Sequence, residues 1–201
     1  MVHSEKHPES LKGYFLIAES NMSDPNFTQT VVLILEHNLE GAFGLVVNRR
    51  SNLTLGDVMP SCRNDRGYST PLYVGGPVQQ EYIFILHSEI PGMENSEYAA
   101  RPVQGVVFEP SFRQIEKYFD PEFWNSMPPE EMPLIHVFLG FSGWAPGQLE
   151  NEMQGGTWMI HRAIPRIVFH PNPEEGWKDA LRQKGGIYKI FADSNQIPGL
   201  N

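Results

Sequence analysis

The sequence predicts an α+β domain, and three observations carry that prediction. Eighteen glycines and seventeen prolines make up 35 of the 201 residues, against about 12% in average composition, so the chain turns often and its elements are short. The apolar runs that mark strands are joined by turns, loops and short helical patterns in irregular order, without the βαβ alternation of a doubly wound parallel sheet. The length suits roughly one domain of ~150 residues with a small appendage, and the apolar blocks lie too close together to leave an interdomain linker.

Residues 1–12 are polar, carry His3, Glu5, Lys6, His7 and Glu9, and lack the apolar core of a secretory signal. They read as a loose N-terminal tail ahead of a single domain over 13–201. Tyr14 to Ala18 is an apolar run bounded by Gly13 and Glu19-Ser20-Asn21, hence a buried strand. Asp24-Pro25 supplies a cap and a proline at the first helical position, predicting one helical turn over 26–29. Runs 31–36 and 43–48 predict a hairpin closed by the six residues 37–42, with His37, Asn38 and Glu40 at its tip and Asn48-Arg49-Arg50 at its far end. A short helix over 53–59 stops at Pro60, and 61–70 is polar enough for a surface loop. Tyr73-Val74 leads into the forced turn Gly75-Gly76-Pro77; 82–86 is a strand, 89–101 a long loop and 106–108 a short strand. Ser111 and Gln114 have capping-box spacing ahead of a helix over 112–119, and Asp120-Pro121 starts another. Run 134–141, apolar apart from His136 before Gly140, is a central strand. Pro146 starts a helix that Gly155-Gly156 ends, with Leu149 and Met153 inward and Glu150, Asn151 and Glu152 on its flanks and outer side. Strands follow at 157–160 and 166–169. Pro173 opens a helix through Lys184 that turns Trp177, Ala180 and Leu181 inward and stops at Gly185, and 187–192 closes the chain as a strand.

Fifteen Lys and Arg against 24 Asp and Glu leave a net charge of −9 with histidine neutral. Such a surface repels phosphate and disfavours direct nucleic-acid binding; the local exceptions are Arg49-Arg50 and Arg162 with Arg166. The single cysteine, Cys62, excludes an intramolecular disulfide and fits a reducing, cytoplasmic compartment. The longest aliphatic run, 31–35, is far short of the ~18 residues that span a bilayer. No cofactor or metal is expected. There is no Walker A run and no G-x-G-x-x-G after a strand, and the seven histidines contain no H-E-x-x-H and no close pair outside His3 and His7.

Four constellations carry possible chemistry. Gly140-Phe141-Ser142-Gly143-Trp144 follows a strand and precedes a helix, the setting of a nucleophile elbow, but Trp144 stands where G-x-S-x-G needs glycine; turn chemistry is expected of Ser142. His136, in an apolar strand, is expected to be a core histidine. Cys62 beside Arg63 is a reactive thiol if the arginine lowers its pKa, and otherwise an incidental loop cysteine. Glu36-His37-Asn38 gathers acid, base and amide groups where a strand meets its turn. Such a trio suits binding of a polar ligand or acid-base work; the alternative is a turn-making Asn38, a capping His37 and a solvated Glu36.

The string Asp24-Pro25-Asn26-Phe27, Val31-Val32 through Glu36-His37-Asn38, and Gly41-Ala42-Phe43-Gly44-Leu45-Val46-Val47-Asn48-Arg49 resembles the YqgE/AlgH family of bacterial proteins. Gly75-Gly76-Pro77-Val78-Gln79, Leu86-His87-Ser88, Leu139 to Trp144 with Gly147-Gln148-Leu149-Glu150, and Trp177 with Ala180-Leu181 agree in order, so the resemblance spans about 13–192. It implies a cytosolic α+β domain whose mixed, bifurcated and partly barrel-like sheet is surrounded by short helices. It implies no defined activity, and a transcription-linked regulatory role that the acidic charge separates from direct DNA contact. Many members carry cysteine where this chain has Leu35, so no thiol chemistry operates at that position here.

The resulting expectation is a binding or regulatory protein whose small-molecule or protein partner meets Glu36, His37, Asn38, Asn48, Trp144 and Gln148. The alternative is a hydrolase-type enzyme with His37 as base and Glu36 or Glu152 as its acidic partner.

Overall fold

The computed structural model describes residues 8–91, 93 and 98–194. Among them are ten strands: β1 (Tyr14–Ala18), β2 (Val31–Asn38), β3 (Gly41–Val46), β4 (Arg50–Thr54), β5 (Pro71–Val74), β6 (Val78–His87), β7 (Ala100–Val103), β8 (Val106–Glu109), β9 (Ile135–Trp144) and β10 (Trp158–Arg162). The helices are short: α1 (Leu55–Val58), α2 (Asp65–Tyr68), α3 (Pro121–Ser126), α4 (Gln148–Gln154), α5 (Pro165–Val168), α6 (Gly176–Lys184) and α7 (Gly186–Ser194). None is long and apolar enough to cross a membrane.

The strands run in the order β10-β1-β2-β3-β9-β6-β8-β7, with β4 and β5 on a branch. The branch point is β9. Its first half has β5 alongside in parallel, from Leu72 opposite Val137 to Val74 opposite Leu139. Its second half has β3 alongside, antiparallel, from Gly44 opposite Ser142 to Ala42 opposite Trp144, while β6 follows the other edge. The changeover falls at Gly140, whose φ of +65° and close approach to the carbonyls of Gly76 and Val78 leave no space for a Cβ. At the far end β7 folds back to touch β2, which curls the sheet into a half-barrel. The fold is α+β, with a mixed, forked and partly barrel-like sheet surrounded by short helices.

Period-two alternation explains why β1 and β2 are continuously apolar. Phe15, Ile17, Leu33 and Leu35 face a core with Phe138, Ile167 and Trp177, while Leu16, Val32 and Ile34 face a second with Trp144, Leu149, Met153 and Trp158. A third cluster, including Leu55, Leu72, Ile85, Ile115 and Phe119, fills the space beside the β5 branch. Helix α6 locks onto the first core through Trp177, whose Nε1 donates to the Ala18 carbonyl at 2.8 Å.

Several local expectations are revised. The hairpin is tighter than the six-residue loop expected, because β2 and β3 pair out to Asn38 opposite Gly41 and leave only Leu39-Glu40 as the turn. Segment 26–29 is a hydrogen-bonded turn without a helix, since the Asp24 side chain takes the Asn26 amide at 2.8 Å. Segment 61–70 is no surface loop; it includes α2, capped by Asn64, and buries Cys62. Segment 112–119 forms two 3₁₀ turns, and the Ser111 side chain makes no cap. Residues 166–169 lie in and just after α5, started by Pro165, and 187–192 lie in α7. A short apolar run does not by itself separate strand from helix. In α7 the inward residues, Tyr188 and Ala192, are four apart, which is helical spacing. The expected loose tail docks at its end, where Leu11 is buried and Ser10 donates to the His37 carbonyl; His3 and His7 lie outside the described residues, as does part of the 89–101 loop.

Asn48 is buried, accepting the Val31 amide at 2.7 Å and donating to the Gln29 carbonyl at 2.9 Å. Gln29 has a φ of +54°, so this side chain stands in for a missing β-ladder partner and holds a left-handed residue. Asn48→Ala is expected to lower unfolding free energy by about 1–2 kcal/mol, the cost of orphaning a buried amide; urea unfolding measures it, and Asn48→Asp, whose carboxylate would face the Gln29 carbonyl with no donor between them, should recover none of the loss.

Candidate functional site

Helix α4 organises the region. Leu149 and Met153 are buried at i, i+4 spacing, and at 100° per residue this sends Glu150 and Glu152 to opposite flanks, each about 80° from the inward direction. Glu150 faces β2 and Glu152 faces β10. One seven-residue helix therefore presents a carboxylate to each of two neighbourhoods.

On the Glu152 flank, Oε2 accepts the indole N–H groups of both Trp144, at 2.9 Å, and Trp158, at 2.8 Å. Its Oε1 accepts the Gln148 amide at 2.9 Å, and Gln148 in turn takes the Ala145 N–H at 3.1 Å, fastening the end of β9 to the helix. Phe27 packs against both indoles, with ring centroids 6.1 Å from Trp144 and 5.4 Å from Trp158. Arg49 sets Phe27 in place by donating to the carbonyls of Asn26 and Thr28 at 2.6 and 3.0 Å. Glu152, Gln148, Phe27 and the two tryptophans line a cavity of about 380 Å³ that also meets Asp24, Pro77, Gly143 and Thr157.

On the other flank, His37 Nε2 lies 2.8 Å from Glu150 Oε1, and its Nδ1 accepts the Leu11 amide at 3.0 Å. The tautomer follows: Nδ1 bears the lone pair, and Nε2–H donates to the carboxylate. Glu150 is held below the usual carboxylate range, first by its own backbone amide and next by His37. The histidine thus ties the N-terminal segment, β2 and α4 together.

Of the residues expected at a site, Glu36 and Asn38 line a smaller cavity of about 190 Å³ with Glu40, Phe43 and Trp144. Asn38 makes the turn, accepting the Glu40 amide at 2.8 Å and donating to Glu36 at 3.1 Å. Trp144 belongs to both cavities and Gln148 to the larger one, whereas His37 points to the opposite side of the hairpin and Asn48 lies in the interior. Neither Glu36 nor Glu152 pairs with His37; the partner is Glu150. Phe27, Trp158 and Asp24 were not among the expected site residues. Helical spacing separates the two glutamates, but which flank meets β10 is set by tertiary packing.

The remaining candidates find structural roles. Ser142 is buried within β9, which continues through it, and donates to the Gly75 carbonyl at 3.1 Å, so no elbow forms. Burial pushes the Cys62 thiol up, which goes against the reactive-thiol alternative. Of the four arginines expected to form a basic patch, Arg49 is tied to its turn, Arg50 reaches the Tyr73 hydroxyl, Arg162 lies over Tyr14 and Arg166 reaches Asp179 at 3.2 Å. His136 stacks on Tyr73 with centroids 4.4 Å apart.

Fold and cavities together define a curled α+β half-barrel with a tryptophan-walled pocket at the end of its forked strand. The chain belongs to the AlgH-like family, whose model matches residues 15–189. It is 33% identical over 189 residues to a UPF0301 protein of Chlorobium limicola, covering 94% of this chain and 95% of that one. It is 37% identical over 168 residues to a UPF0301 protein of Stutzerimonas stutzeri, covering 81% and 82%. The solution structure of the AlgH protein from Pseudomonas aeruginosa superposes with a TM-score of 0.72 at 31% identity, covering 96% of this chain and 98% of that one. The crystal structure of DIP2367 from Corynebacterium diphtheriae gives 0.69 at 25%, covering 92% of each.

Proposed function

We propose that this chain is a ligand-binding regulatory protein of the cytoplasm, acting without direct DNA contact, and that its ligand occupies the cavity between Phe27, Trp144, Trp158 and Glu152. The observation that carries this reading is the double indole contact to one carboxylate oxygen at the edge of a 380 Å³ space. Its walls combine aromatic rings with fixed polar groups, and convergent polar groups set among aromatic side chains are what orient a ligand in a small-molecule site. Charge supports separation from DNA, since the net value is −9 and the arginines at 49, 162 and 166 are engaged elsewhere.

The hydrolase alternative draws on the short His37–Glu150 contact. A general base needs a free lone pair, and in His37 the Leu11 amide occupies it. The pair suits docking of the N-terminal segment.

A thermal-shift screen of metabolites tests the reading. A ligand that raises the Tm of the wild-type chain is expected to lose most of its effect with Trp144→Phe. His37→Ala should bind it within about twofold of wild type while losing about 1 kcal/mol of stability, roughly 2–4 °C in Tm. Equal ligand stabilisation of wild type and Trp144→Phe, or loss of binding in His37→Ala alone, would reject this site.

A further inference from the structure

We infer that the pocket selects an organic ammonium ion, carried either by a free aliphatic amine or by a lysine side chain of a partner protein; this rests on the ligand-binding reading of the same cavity. The lining contains two carboxylates, Asp24 and Glu152, and neither lysine nor arginine. Glu152 is held by three neutral donors, the two indoles and Gln148, and forms no ion pair with a described residue. Neutral donors orient a carboxylate without cancelling its charge. They occupy three of its roughly four acceptor positions, leaving one on Oε1 for an incoming N–H.

Three aromatic rings complete the lining, and their quadrupoles attract cations. Asp24 spends Oδ1 on the Asn26 amide at 2.8 Å. Its nearest cation, Arg49, is tied to the carbonyls of the 25–28 turn and is not part of the cavity wall. An anionic ligand would meet two carboxylates, of which only Asp24 has a cation, Arg49, within electrostatic range. A neutral apolar ligand would strip water from Glu152 and return nothing to its charge. An ammonium head group with a short methylene chain satisfies both the charge and the walls, and 380 Å³ is room enough for it. The acidic surface adds long-range attraction for such ligands.

Titration of the full chain, followed by tryptophan emission and calorimetry, tests the assignment. The free-amine probe is 1,5-diaminopentane with 1,5-pentanediol as its neutral counterpart; the protein-borne probe is a lysine-containing peptide with its Nε-acetylated form. At least one ammonium probe is expected to bind saturably and at least tenfold more tightly than its neutral counterpart, and whichever binds identifies the source. Glu152→Gln keeps an oxygen for the two indoles and is expected to weaken binding at least tenfold. Asp24→Asn, which keeps the acceptor for Asn26, is the second variant should Glu152→Gln fail to fold, and is expected to weaken binding severalfold. Failure of both ammonium probes to bind, neutral probes binding as tightly, or undiminished affinity in the folded carboxylate variants would overturn the ammonium assignment. The pocket reading is judged separately by Trp144→Phe in the metabolite screen, so the two fail distinguishably.

Discussion

Gly41→Ala is expected to cost about 4 kcal/mol and to disturb the pocket at the same time. Gly41 opens β3 with a φ of +127°, and a Cβ there would overlap the Trp144 carbonyl oxygen across the β3–β9 pairing. Left-handed strain contributes ~1–3 kcal/mol, and displacing the opposing backbone adds ~1–3 kcal/mol. For a chain of this length that sum lowers Tm by roughly 8–16 °C. The backbone that must yield is that of Trp144, so its Nε1 bond to Glu152 should loosen and tryptophan emission change in the still-folded protein. Gly147→Ala is the control: Gly147 has a φ of +74°, but nothing lies within 4 Å of the added Cβ, so it should cost only the strain. Equal losses in the two variants would show that the Trp144 contact contributes nothing.

The second large effect is on acid stability. His136 sits between β5 and α5, its pKa pushed down to about 4, chiefly by burial and further by Arg50. In the unfolded chain it titrates near 6.5, so between these values the unfolded state binds a proton that the native state refuses. Its contribution is fully present above pH 6.5 and is lost as pH falls to about 4. The span of 2.5 pH units corresponds to about 3 kcal/mol, of which about 2 kcal/mol is gone at pH 5. Urea unfolding at pH 7.5 and pH 5.0 measures it, and His136→Phe should remove most of the difference. His87, also buried and shifted down by burial, acts in the same direction and keeps a residual slope. An unchanged slope in His136→Phe would assign the acid sensitivity to other groups.

What was legible in the sequence follows a physical division. Strands β1, β2 and β9 were readable because burial on both faces leaves an uninterrupted apolar run, and α3, α4 and α6 because proline, glycine and i, i+4 spacing are local signals. Strand β4 was not anticipated, since Arg50–Thr54 is polar and draws its strand character from pairing with β5. Short apolar runs leave the period undetermined, so the sequence predicts strands at 166–169 and 187–192 where the chain forms α5 and α7. At the site, Trp144 and Gln148 were readable as a turn ahead of a helix. The pairing of His37 with Glu150, and the meeting of Trp158 with Glu152, depend on which side of α4 faces which strand, which no local pattern encodes.

The fork at β9 also decides when the pocket comes into being during folding. Trp144 is placed by pairing with Ala42, and Trp158 by pairing with Ala18, two closures that span much of the chain. Long loops must be closed before such contacts form, which makes them late events in topologies of high contact order. The cavity is therefore assembled only in chains that have closed both the β3–β9 and the β1–β10 pairings. Its occupant binds the finished fold alone and adds its full binding free energy to global stability, which makes protection of β1 and β9 amides from hydrogen exchange a direct gauge of occupancy.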